Sequence, residues 1–87
     1  MRLHNVYIVQ TGEELCVAAR TTDHAAQVFI TFWIARTGDA PGEFHVGVDD
    51  PEYYENDPIV QNVAKGDIAG VLVRQPDGST LFDPAIG

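Results

Sequence analysis

Apolar and polar positions along the chain divide it into seven segments with different periods. Val6-Tyr7-Ile8-Val9 is a β-favouring run, Thr11-Gly12-Glu13-Glu14 carries turn chemistry, and Leu15-Cys16-Val17-Ala18-Ala19 is a second apolar run. Residues 4–20 are therefore predicted to form a β-hairpin. Val6 and Ile8 share one face of the first strand, and Tyr7 and Val9 share the other. Apolar residues on both faces predict a strand inside the sheet rather than at its edge.

Thr21-Thr22-Asp23 offers capping hydroxyls and an acid for a first helical turn, which predicts a helix over 23–36. Ala25, Phe29, Phe32 and Arg36 follow i, i+4, i+7 spacing, with Val28 beside them. Ile30, Trp33 and Ile34 fall on other sides, so the apolar surface is wide. Residues 28–34 would also suit a strand, and the cap with the Ala25-Ala26 start decides for helix. Gly38 is the expected left-handed terminator. Trp33 and Ile30 lie off the Phe29/Phe32 stripe, which predicts a second buried face or, failing that, an exposed strip suited to a dimer or partner contact.

After a loop at Ala40-Pro41-Gly42, residues 43–48 alternate, with Phe44, Val46 and Val48 on one face of a third strand. Asp57-Pro58 is a specific helix start, with Asp as the cap and Pro where its missing N–H costs nothing. This second helix runs over 58–65, with Gly66 as its C-terminal glycine. Residues 68–74 and 80–82 are predicted strands joined by the turn Gln75-Pro76-Asp77-Gly78-Ser79, and the tail from Asp83-Pro84 is expected to be loose. The order β-β-α-β-α-β-β predicts a single α+β domain over 1–87, with a mainly antiparallel sheet and one long helix on one face.

Charge changes the picture. The chain has 87 residues, 13 Asp plus Glu against 5 Lys plus Arg, and a formal charge of −8. Seven of the acids (Asp39, Glu43, Asp49, Asp50, Glu52, Glu55 and Asp57) lie between Thr37 and Ala64, a stretch with no Lys or Arg. Asp49, Asp50, Glu52, Tyr53, Tyr54, Glu55 and Asp57 form its centre and are the candidate binding residues. Crowded carboxylates repel one another unless a cation or a basic surface answers them, and tyrosines supply contact area at low entropy cost. In extended chain, residues two apart would present their carboxylates in a linear array at about 6.6 Å spacing. The competing readings are a solvated loop that only confers solubility, and Ca²⁺ binding, for which the EF-hand order is missing.

Other chemistry finds less support. Arg2, Arg20, Arg36, Lys65 and Arg74 are scattered singly, so neither nucleic acid nor an anionic membrane is expected as a direct partner. Cys16, between Leu15 and Val17, is expected to be a small core residue rather than a nucleophile, and a single cysteine excludes an internal disulfide. His4, His24 and His45 are too far apart for a zinc signature, although strand pairing could bring His4 and His45 together. Otherwise they are expected on the surface, with His24 neutral in the first helical turn. No cofactor motif is present. No signal peptide and no span-length apolar run are read, and with one cysteine this predicts a cytoplasmic setting.

The favoured expectation is a non-catalytic inhibitor or adaptor whose acidic face docks on a basic, nucleic-acid-handling protein. In general character, though in no motif, this resembles small acidic DNA-mimicking proteins such as phage-encoded inhibitors of CRISPR effectors and restriction enzymes, which act in the host cytoplasm. The alternatives are a small metal-dependent enzyme or ligand-binding subunit using His or Asp/Glu residues, and an accessory subunit docking through its apolar helix. A homodimer is compatible with each.

Overall fold

The computed structural model describes residues 1–85, the side chain of Pro51 excepted. Its elements are β1 (Arg2–Ile8), β2 (Glu14–Ala19), α1 (Thr22–Thr37), β3 (Phe44–Val48), the 3₁₀ turn η1 (Pro51–Tyr54), α2 (Pro58–Lys65), β4 (Gly70–Arg74) and β5 (Thr80–Pro84). The strands form one sheet in the order β3-β1-β2-β4-β5, with every neighbouring pair antiparallel. The chain is a single α+β domain of the predicted class. β1 lies inside the sheet, as its two-faced apolar pattern implies, and β2 is central.

Strand alternation gives the sheet two working faces. Val6, Ile8, Val17, Ala19 and Val71 meet Ala25, Val28 and Phe29 of α1 in one buried cluster. Leu3, Cys16, Ala18 and Leu72 meet Val60 of α2 in a second cluster, against which Tyr54 and Phe82 pack. The sheet is thus covered on both sides, by α1 on one and by η1 with α2 on the other.

Local chemistry accounts for the helix ends. The Thr21 side chain accepts from the His24 amide at 3.0 Å, and Gly38, at φ 82, donates its N–H to Ile34 and closes α1. Asp57 accepts from the amides of Ile59 and Val60 at the start of α2, with Pro58 in the first turn. Gly66 departs from expectation: its φ is −85 and ψ −174, so it leaves α2 in extended backbone rather than as a left-handed cap. Gly70 is required by contact, since a Cβ there would meet the Phe82 ring at 2.6 Å and the Asp83 carbonyl.

Four other expectations are corrected. Asp83 and Pro84 are not a loose tail; they extend β5 by pairing with Val71 and Gly70, and the Ala85 amide donates to Ala69. The last two residues of the expected tail lie outside those described. Trp33 does not lie off the buried stripe, because Ala25, Phe29 and Trp33 follow i, i+4, i+8 spacing, and its ring packs 5.7 Å from that of Phe29. Ile30 packs against the same cluster. His4 is not a surface residue: it is 1% exposed, and its Nδ1 has no hydrogen-bond partner among the described residues.

Candidate functional site

The acidic segment begins where β3 ends. The Asp49 amide donates to Leu3 at 2.9 Å and closes the β1–β3 ladder. The chain then leaves the sheet edge and crosses onto the face that carries the second cluster. The Asp50 carboxylate accepts from the Glu52 amide at 3.0 Å and starts η1. The expected extended array of carboxylates is therefore incorrect. Local capping by Asp50 turns the segment through a 3₁₀ turn, which breaks the two-residue repeat.

The seven candidate residues divide by what their side chains do. Asp49 accepts from the Tyr54 hydroxyl at 2.7 Å, and the Tyr54 ring rests on the second cluster. Asp50 caps η1. Asp57 caps α2 with one oxygen and with the other accepts from the hydroxyl of the buried Thr80 at 2.7 Å. Those four are engaged inside the fold. Glu52, Tyr53 and Glu55 are exposed, and Tyr53 is 80% exposed. The turn that carries them is held further by Gln61, whose side-chain amide donates to the Tyr54 carbonyl at 2.9 Å.

Beneath this turn lies a cleft that the sequence did not reveal. Two adjoining hollows, of about 260 and 410 Å³, share Tyr54, Arg74 and Thr80. The first also reaches Asn5, Glu14 and Cys16, and the second opens between Asp57 and the β4–β5 turn at Ser79. Arg74 is the only Lys or Arg on these walls, set between Glu14 and Asp57. The carboxyl of Asp57 is held below the ordinary carboxylate range, chiefly by the Thr80 hydroxyl, with the α2 amides and Arg74 adding to the effect. Arg74 offers an exposed cationic donor to an anionic or carbonyl group. The Tyr54 and Thr80 protons are already committed to Asp49 and Asp57.

Cys16 lines the first hollow but is only 8% exposed. Burial pushes its thiol up to about 11; the bond with Tyr54 lowers it and the Asp49 charge raises it. The Tyr54 hydroxyl is itself raised, first by burial and then by its bond to Asp49. Such a thiol is almost wholly protonated near neutrality and is a poor nucleophile. At pH 8, iodoacetamide is expected to alkylate Cys16 in the folded chain about a hundredfold more slowly than in urea, as read by mass spectrometry. Equal rates in the two states would contradict this placement.

His4 and His45 sit on neighbouring strands but two different faces. His45 pairs with Tyr7, whereas His4 alternates with Val6 on the α1 side. Strand pairing therefore separates them, contrary to the expectation that it could join them. His24 accepts from the Arg20 amide at Nδ1, 3.3 Å away. Among the described residues no group of three His, Cys, Asp or Glu side chains is arranged to hold a metal ion. None of their helices is long and apolar enough to cross a membrane.

Arg74, Thr80, Glu14 and Asn5 were missed because none carries a local signal: Glu14, Arg74 and Thr80 sit at strand ends and Asn5 in the middle of β1. The strand order β1-β2-β4-β5 and the fold-back of α2 bring them together. The alternation of Arg74 with Leu72 was the one available signal, since it assigned Arg74 to the same sheet face as Leu72. The chain matches no protein-family model, no curated protein and no solved structure.

Proposed function

We propose that this chain is a non-catalytic binding protein whose acidic turn docks on a basic surface of another protein. The observation that carries the reading is the division of labour in residues 49–57. Asp49, Asp50, Tyr54 and Asp57 spend their polar atoms fixing the turn, and Glu52, Tyr53 and Glu55 are left exposed on it. A display fixed in advance loses less conformational freedom on binding than a floppy loop. Two carboxylates around an exposed tyrosine suit a surface of Arg and Lys, with the tyrosine as the anchor. A protein that grips nucleic-acid phosphates has such a surface, and the chain would then act by competition, in the manner of phage-type inhibitors of CRISPR or restriction enzymes. The buried, protonated Cys16 thiol favours binding over nucleophilic catalysis.

The test separates the display from its supports. Neutralising all five carboxylates would also damage the fold, so the variant of choice is Glu52→Gln, Tyr53→Ala and Glu55→Gln together. Wild-type chain immobilised in extract of its native host is expected to retain a basic protein that duplex DNA displaces and that about 0.5 M salt weakens. The triple variant is expected to lose that protein while keeping its circular dichroism spectrum. Retention of the same partner by the folded triple variant would refute the proposal.

A further inference from the structure

The two margins of the sheet are not equivalent. On β5, the Ala85 amide donates to Ala69 and the Gln75 amide to Ser79. Alternation then turns the backbone of Thr80, Phe82 and Pro84 away from β4. Pro84 has no N–H to offer, and α2 packs beside this strand, so the margin is blunted.

On β3, Val9 donates to the Glu43 carbonyl at 3.1 Å and Asp49 to that of Leu3 at 2.9 Å. Alternation makes Asn5–Gly47 and Tyr7–His45 the hydrogen-bonded pairs and turns the N–H and C=O groups of Phe44, Val46 and Val48 outward. β3 contains no proline, lysine or arginine. The side chains of the three outward residues form an apolar row on the α1 side of the sheet, and Val48 is 69% exposed. An unprotected row of this kind is a template for an added strand.

Charge at the two ends of the row selects the occupant. A second copy paired antiparallel about Val46 would set Phe44 opposite Val48, an apolar match. It would also set Glu43 opposite Asp49 at both ends, on chains that each carry −8. Like charges directly opposite one another destabilise a ladder. Lys or Arg at those two positions converts the repulsion into attraction. The geometry points to β3 as a strand-addition site for an extended segment of a partner protein, with three alternating apolar residues and a basic residue at each end. This rests on the reading of the partner as basic. It adds a backbone-pairing surface continuous with the acidic turn, since Asp49 both ends the ladder and holds Tyr54.

The probe is the labelled heptapeptide Lys-Val-Thr-Val-Thr-Val-Lys, titrated against the full chain by fluorescence anisotropy. The peptide is expected to bind, and to protect the amides of Phe44, Val46 and Val48 from hydrogen exchange. Val46→Pro and Val48→Pro each remove an outward donor without touching the β1 ladder, and each is expected to weaken binding about tenfold or more. Val48→Pro alters an exposed side chain and keeps the test valid should Val46→Pro fail to fold. A peptide with glutamate at both ends is expected to bind about tenfold more weakly still than the lysine form. Unchanged affinity in a folded proline variant, or protection confined to other amides, overturns the inference. So does self-association of the free chain that Val48→Pro abolishes, because the occupant would then be a second copy. Retention of the native partner by the proline variants but not by the Glu52/Tyr53/Glu55 triple variant would sink the edge and spare the acidic turn. The reverse pattern would sink the turn alone.

Discussion

Replacing Phe29 by alanine is expected to cost about 3–5 kcal/mol of folding stability, the largest single loss available in this chain. Phe29 is fully buried and is the largest of the fully buried side chains. Its ring lies 4.8 Å from that of Phe44 on the edge strand and 5.7 Å from that of Trp33 one helical turn on. It therefore ties α1 to the β3 side of the sheet. A domain of this size has a total stability of about 5–15 kcal/mol, so the variant would sit near its unfolding threshold. Urea denaturation followed by tryptophan fluorescence measures the loss directly, because the single Trp33 neighbours the site. A change below about 1 kcal/mol would mean that α1 does not seat on the sheet through this ring.

Asp57→Ala is expected to destabilise the chain by about 2 kcal/mol, through loss of a helix cap and of the acceptor for a buried hydroxyl. The effect carries a pH signature. The folded carboxyl is held below its ordinary value, first by the Thr80 hydroxyl and further by the α2 amides and Arg74. A carboxyl lowered in this way contributes stability that is fully present above its unfolded value of 3.8 and is lost as pH falls through the folded value. The stability gap between wild type and Asp57→Asn should therefore stay constant from neutrality to about pH 5 and narrow below about pH 4. Thermal unfolding of both proteins across that range is the measurement. A gap that widens in acid would contradict the Asp57–Thr80 bond. Because this bond ties the acidic turn to β5, the same variants should also loosen Tyr53 and Glu55 without altering their charge.

Most elements were legible in the sequence because their signals are local. The Asp57-Pro58 start, the Thr21 cap and the Gly38 terminator each act within one helical turn. The apolar setting of Cys16 correctly announced a buried thiol. What was not legible depends on partners distant in the chain. Asp83-Pro84 reads as a turn on local propensity, yet pairing with Gly70 and Val71 keeps it extended. Trp33 was assigned to the wrong side because apolar residues surround α1 almost completely, and only the sheet decides which of them it buries. The acidic run was visible as charge, but its division into hydrogen-bonded and exposed side chains follows from Asp50 and Asp57 acting as caps and from Tyr54 reaching back to Asp49. The Arg74 cleft joins residues from Asn5 to Thr80 and had no local signature.

The strand order also governs when the molecule can be completed. β2 is the middle strand, yet its two neighbours come from opposite ends of the chain: β1 precedes it directly, and β4 begins only at Gly70. On a ribosome the first hairpin and α1 emerge long before β4, so the Cys16–Ala18 margin of β2 waits uncovered while some fifty further residues are made. The strongly negative stretch is synthesised during that interval. Mutual repulsion between nascent chains at this stage hinders their open margins from meeting, so the same carboxylates also oppose aggregation during synthesis.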